Sequence, residues 1–124
     1  MSNNPTSKQE FVEQFRKRTK KLAIDTIRFS QGLPRTEEAI IMKRQLLRSA
    51  TSVGANYRAA CRARSAAEFY SKISIVIEEA DETLYWLELL EESGITSMSS
   101  ITNLVHDTTE IVSVLAKARK NTIK

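Results

Sequence analysis

Four arginines in the middle of the sequence have the spacing of one helix face. Positions 44, 51 and 58 follow each other in steps of seven residues, as do positions 48, 55 and 62, and the small residues Thr51 and Ala55 lie in between. Seven residues make about two helical turns, so these side chains share a side of the helix. Guanidinium groups in a row can contact successive phosphates of a nucleic-acid backbone. The predicted nucleic-acid-binding residues are these four and one neighbour: Arg44, Arg48, Arg58, Arg62 and Arg64.

Carboxylates offer the same arginines a different partner. Acidic residues crowd a later segment, at Glu78, Glu79, Asp81, Glu82, Glu88, Glu91 and Glu92. If the arginines pair with these acids, they form salt bridges and leave no surplus charge for a ligand. A second basic cluster lies earlier in the chain and is interpreted as solvated surface: Arg16, Lys17, Arg18, Lys20 and Lys21.

Residues for catalysis or metal binding are sparse. The sequence has a single histidine, His106, and a single cysteine, Cys61, whereas catalytic and zinc sites combine several such groups. The acidic segment lacks the inward-facing Glu-x-x-His repeat of di-metal helix bundles. No glycine-rich phosphate loop or nucleophile elbow occurs. We therefore predict a protein that is not an enzyme and has no catalytic residue, metal or cofactor.

Polar and aromatic residues off the main apolar stripes suggest contacts. Ser52 and Asn56 lie one helical turn apart among apolar residues, which predicts buried polar groups that hold one helix in register with the next. Tyr85, Trp86 and Leu89 lie to the side of the main stripe of their segment, and such apolar groups often form subunit contacts. Stacking of bases on Trp86 is the alternative, but its sequence neighbours are acidic.

Composition and charge limit the class of protein. The 124 residues fit one domain, and 41% hydrophobic with 27% charged residues allows a buried core. Residues 1–64 hold 14 Lys and Arg against 5 Asp and Glu, a net charge of +9, and residues 65–124 hold 5 against 10, a net charge of −5. Such asymmetry suits an anionic partner or pairing between copies. With no signal-peptide core and no run of ~20 apolar residues, we predict a cytoplasmic protein that does not enter the membrane.

Start and stop signals divide the chain into helices. Ser65 and Glu68 have capping-box spacing, Thr36 precedes two acidic residues, and Gly32 and Gly94 are expected to close helices in the left-handed conformation. Apolar residues recur at spacings of three and four throughout. The predicted helices span residues 7–31, 37–63, 66–93 and 98–120, after a flexible N-terminus at 1–6. Short connections predict an all-α, antiparallel up-down-up-down four-helix bundle in a single domain, residues 1–124.

The segment from Gln45 to Asn56, followed by Arg64-Ser65 and Glu68-Phe69, resembles the 23S rRNA intervening-sequence protein family, whose members are small four-helix bundles. Six positions match the family pattern: Arg48, Ser52, Asn56, Arg64, Glu68 and Glu82. Arg44 is not part of that pattern. Ala59 and Ala60 stand where the family has Glu-Gly. The resemblance implies that Glu68 and Glu82, like Ser52 and Asn56, are structural polar residues.

The resemblance also implies partners. It implies a ring-shaped homo-oligomer, a pentamer, and an association with ribosomal RNA. Accessory proteins of diversity-generating retroelements look like relatives, and in them a basic ring is implicated in binding RNA and a reverse transcriptase.

Two hypotheses follow from the sequence. The first is a non-catalytic homo-oligomer that binds ribosomal or other structured RNA, or a ribonucleoprotein, through clustered arginines. The second is a protein-interaction adaptor or scaffold, whose charged faces serve assembly and whose Trp86 surface docks a partner.

Overall fold

Four α-helices form the described part of the chain. In the computed structural model, which describes residues 7–122, the helices are α1 (Ser7–Ser30), α2 (Glu37–Ala60), α3 (Ala66–Glu92) and α4 (Met98–Thr122). Each helix packs against its neighbour in sequence, α4 closes against α1, and the backbones of the diagonal pairs do not approach each other closely. Connections of only five or six residues make neighbours antiparallel. The predicted all-α four-helix bundle is therefore confirmed, while the predicted flexible segment 1–6 lies outside the described residues.

Local capping residues define several helix ends as the sequence predicts. The Thr36 hydroxyl accepts a hydrogen bond from the Ala39 amide at 3.3 Å, so α2 begins directly after Thr36. At the end of α3, Gly94 has φ of +84° and the Ile95 amide donates to the Leu90 carbonyl at 3.0 Å. This is the glycine-dependent Schellman ending, which a residue with a side chain adopts at a cost.

Three helix ends differ from the sequence-based prediction. The helix α2 stops at Ala60, because the next amides, of Arg62 and Ala63, bond three residues back in a tight turn. Gly32 does not adopt positive φ, which Gly94 alone has among the three glycines, all within the described residues. Instead, α1 ends in a tight turn in which the Gly32 amide donates to the Phe29 carbonyl at 3.1 Å. The helix α4 continues two residues further than predicted, to Thr122.

The apolar stripes of all four helices meet along the bundle axis. Their largest fully buried members include Leu22, Leu46, Ile73, Leu87, Leu90, Ile101, Ile111 and Leu115. On α3 the stripe contains Thr83, which is buried, whereas Leu84 is half-buried. The Thr83 hydroxyl lies 2.9 Å from the Ser49 hydroxyl. A buried hydrogen bond therefore crosses between α2 and α3 inside the apolar core.

Candidate nucleic-acid interface

The predicted arginine row lies on the surface of α2. At ~100° per residue, positions 44, 48 and 58 fall within an arc of about 80°, and the side chains of all four arginines are exposed. Arg62 follows the end of α2 and extends the row into the connecting turn. The distance along the axis from position 44 to position 58 is about 21 Å, at ~1.5 Å per residue. The row is therefore long enough to contact several phosphates.

One member of the row is neutralised by α3. The Arg48 guanidinium contacts Glu82 Oε2 at 2.5 Å through Nη2, and its Nη1 lies 3.2 Å and 3.4 Å from the two oxygens of Glu79. Hydrogen bonds from Arg48, and then from the Trp86 indole, hold the pKa of Glu82 below its ordinary value. Arg48 therefore ties α2 to α3, as the salt-bridge alternative expected.

The other three members of the row lack such partners. Within residues 7–122, Arg44, Arg58 and Arg62 form no ion pair and no side-chain hydrogen bond. Their guanidinium groups are exposed, so they carry the surplus charge of the row.

Arg64 begins the connection into α3. Its side chain is 89% exposed, and its Nε lies 3.5 Å from Glu68 Oε1. The same oxygen accepts the Arg64 amide at 2.7 Å, and this bond lowers the pKa of Glu68. The Ser65 hydroxyl accepts from the Glu68 amide, as the capping box predicts. The reciprocal bond differs from the prediction, because Glu68 caps the Arg64 amide rather than the Ser65 amide.

Polar residues near the arginine row play different parts from those predicted. The Asn56 amide group donates to the Ser52 carbonyl at 2.9 Å, within α2. Across the described residues, neither Ser52 nor Asn56 makes a side-chain hydrogen bond to α3. The pair that does connect the two helices is Ser49 and Thr83. Sequence reasoning missed this pair because both residues sit within apolar stripes, where a small hydroxyl resembles a space-filling side chain.

The predicted interface residues lie at the outer edge of α3. Tyr85 is 52% exposed, Leu89 is half-buried, and Trp86 packs against the core of its own chain. The Trp86 indole donates to Glu82 Oε2 at 3.2 Å, and its ring meets the Tyr85 ring edge to face at 5.0 Å. Trp86 is therefore engaged within the chain, and Tyr85 offers most of the accessible aromatic surface.

A groove between α1 and α2 lies beside Arg58. It has a volume of about 410 Å³ and is lined on its α1 side by Arg16, Lys17 and Lys20. These three belong to the cluster that the sequence analysis interpreted as solvated surface. The other two members pair with acids that lie outside the groove lining: Arg18 bonds Glu110 of α4, and Lys21 pairs with Asp25 at 2.6 Å.

Metal binding, cysteine chemistry and membrane crossing have less support in the described residues than anion binding does. Among residues 7–122, no group of three or more His, Cys, Asp and Glu side chains is placed to hold a metal ion. Cys61 is half-buried, and burial raises the pKa of its thiol, which disfavours the reactive thiolate. No helix in the described range has the length and apolar character needed to cross a membrane.

Comparisons with known proteins relate the chain to a family. A family model described as "23S rRNA-intervening sequence protein" matches residues 13–117. The crystal structure of a protein of unknown function from the S23 ribosomal protein family, from Bacteroides thetaiotaomicron, superposes with a TM-score of 0.79 at 34% sequence identity. The match covers 85% of this chain and 97% of that one. Among proteins with curated descriptions, none matches.

Proposed function

Because the chain belongs to the 23S rRNA-intervening sequence protein family, we propose that it is a non-catalytic, homo-oligomeric four-helix bundle that associates with RNA. In this proposal the exposed arginines of α2 contact the phosphate backbone. The family description names ribosomal RNA, and this chain supplies a row of cations suited to a polyanion.

The observation that carries the proposal is the surplus charge at three positions. Arg44, Arg58 and Arg62 are exposed and have no carboxylate partner within residues 7–122. Binding of a phosphate to an unpaired surface guanidinium is favourable, because it releases condensed counterions and no existing salt bridge has to break.

A salt titration tests the proposal. We expect the chain to bind a labelled RNA hairpin, with an affinity that falls as salt rises. The triple variant R44Q/R58Q/R62Q should bind more weakly, and the slope of log affinity against log salt should shrink by about 0.7 to 0.9 for each lost phosphate contact.

The matched control is K8Q/K117Q/K120Q, which removes the same charge from exposed lysines on α1 and α4. It should lower affinity much less, because a local contact is removed only in the first triple variant. Salt-independent binding, or equal losses in the two variants, contradicts the proposal.

Arg48 separates contact with RNA from a structural role. Since Glu79 and Glu82 already neutralise it, R48Q should lower stability while changing RNA affinity less than R58Q does. A thermal melt and an RNA titration of both single variants measure this contrast. If R48Q weakens RNA binding more than R58Q at equal stability, the assignment of contacts within the row is wrong.

Exposed apolar side chains favour a second candidate, a protein scaffold. Ile41, Ile75 and Tyr85 on α2 and α3 are 53%, 41% and 52% exposed. If any of these side chains docks another protein, a tagged chain should retain its partner after RNase treatment of a lysate. Loss of every bound component on RNase treatment favours RNA instead.

A further inference from the structure

The groove between α1 and α2 is a concentrated site of positive charge. Its lining includes three cations of α1 (Arg16, Lys17 and Lys20) and Arg58 of α2, against a single carboxylate, Glu13. Glu13 lies 3.8 Å from Arg16. Lys17, Lys20 and Arg58 have no acidic partner in the described part of the chain. Like charges gathered in a concave surface repel each other and raise the local concentration of anions.

Small residues keep the groove open. Its lining contains Ala23, Gly54 and Ala55, which have at most a methyl side chain. At Gly54 the two helices approach so closely that an added Cβ would lie 3.4 Å from the Thr19 carbonyl oxygen. The backbones therefore meet at the bottom of the groove, and no large side chain fills the space between the cations above.

The lining suits phosphate rather than a base. Aromatic rings, which stack on bases, and side-chain amides, which read base edges, do not occur among the groove residues. The hydroxyls of Thr19 and Thr51 donate to carbonyls of their own helices, at 3.1 Å and 2.7 Å. Attraction between the cations and negative charge is therefore the main interaction that this lining offers to a strand of uridine or adenosine.

We propose that the α1–α2 groove binds a run of phosphates in a nucleic-acid backbone, irrespective of base sequence. This inference rests on the proposed function and extends it, because it adds α1 cations to a surface that otherwise belongs to α2. Arg58 is shared by the arginine row and the groove, so the bound strand passes from one to the other.

Two of the three glycines provide an internal test by NMR. Gly54 lies in the groove, whereas Gly94 lies in the α3–α4 turn. On titration of the ¹⁵N-labelled protein with oligouridine, the Gly54 amide should shift and the Gly94 amide should stay. Oligoadenosine of equal length should give the same Gly54 shift and an affinity within about tenfold.

A pair of double variants tests the contribution of α1. K17Q/K20Q removes two groove cations, and K117Q/K120Q removes two exposed lysines with the same spacing on α4, which contributes no residue to the groove lining. We expect the groove variant alone to lower oligouridine affinity, and its salt slope to shrink by about 0.7 for each lost contact.

The outcomes separate this inference from the proposed function. If the protein binds RNA but Gly54 does not shift, or the two double variants bind equally, the groove inference is overturned and the arginine row stands. A strong preference for one base also overturns it. If the unmodified protein binds no RNA, the proposed function fails and the groove inference fails with it.

Discussion

At Arg48, the neighbouring carboxylates and an anionic ligand would compete for the same guanidinium group. The sequence places Arg48 and Arg58 in equivalent positions of one row. The structure puts Arg48 next to the acidic residues of α3 and Arg58 next to the basic residues of α1. Two residues of one type on one helix therefore differ in role because their neighbouring helices differ.

The Arg48–Glu82 pair should make stability depend on pH. The pKa of Glu82 is lowered in the folded state, so the unfolded chain binds more protons and stability falls as pH drops through the lowered pKa. Because Glu82 is 36% exposed, E82Q should cost only about 0.5 to 1 kcal/mol at pH 7. Urea unfolding at pH 7 and at successively lower pH should show the difference from wild type shrinking.

The control for this experiment is E88Q, since Glu88 is exposed and has no side-chain partner in the described range. Its difference from wild type should stay small at every pH. A constant E82Q effect across the titration would mean that the carboxylate is not held ionised by Arg48.

At the scale of helices, two glycines serve opposite purposes. Gly54 is inside α2, where glycine costs helix stability but allows α1 to approach closely, and Gly94 ends α3 at positive φ. G54A should raise the free energy of unfolding by about 0.5 to 1 kcal/mol, because its Cβ just fits. G94A should lower it by about 1 kcal/mol through backbone strain, since nothing crowds its Cβ.

Denaturant unfolding of the two variants measures both effects in one series. Gly54→Leu extends the series, because a longer side chain must push α1 away and should lower stability. If G54A is instead as damaging as G54L, the contact at Thr19 is tighter than the structure indicates.

Helix positions follow from the sequence more closely than helix partners do. Thr36, Ser65 and Gly94 cap helices through bonds within a few residues, so their effect is visible in the sequence itself. The end of α2 at Ala60 has no glycine or proline to mark it. The groove depends on how α2 packs against α1, and the salt bridges of Arg48 depend on how α2 packs against α3. Periodicity defines which face is buried but not the register between faces, so the sequence could offer salt bridges between the arginines and the acidic segment as an alternative, but not which arginine forms them, and it could not predict the groove.

At the scale of the molecule, the charge asymmetry of the sequence becomes a spatial one. The basic half forms α1 and α2, whereas the acidic residues of the other half lie mainly on α3, which holds eight Asp and Glu against one Lys. Surfaces of opposite charge allow copies to pair head to tail around a ring. Tyr85, which is 52% exposed, lies on the acidic helix α3.

We therefore expect the purified chain to sediment as a species several times heavier than the 14.0 kDa monomer, as the pentamer implied by the family resemblance would. Y85S should shift the distribution toward monomer, because it removes apolar area from the contact. M98S is the control, since Met98 is 54% exposed at the start of α4. A monomer at all concentrations, or equal dissociation of both variants, contradicts the proposed assembly.

The contact between α1 and α4 is the least extensive of the four helix pairings. In this contact Phe11 and Phe15 of α1 lie beside Val114 of α4, and Arg18 forms a salt bridge with Glu110. When a bundle opens locally, the interface with the fewest buried contacts separates first. If local unfolding begins at this edge, it breaks the hydrogen bonds within α1 and α4 first. The backbone amides of these two helices should therefore exchange with deuterated solvent earlier than those of α2 and α3, while the arginine-bearing helix stays folded.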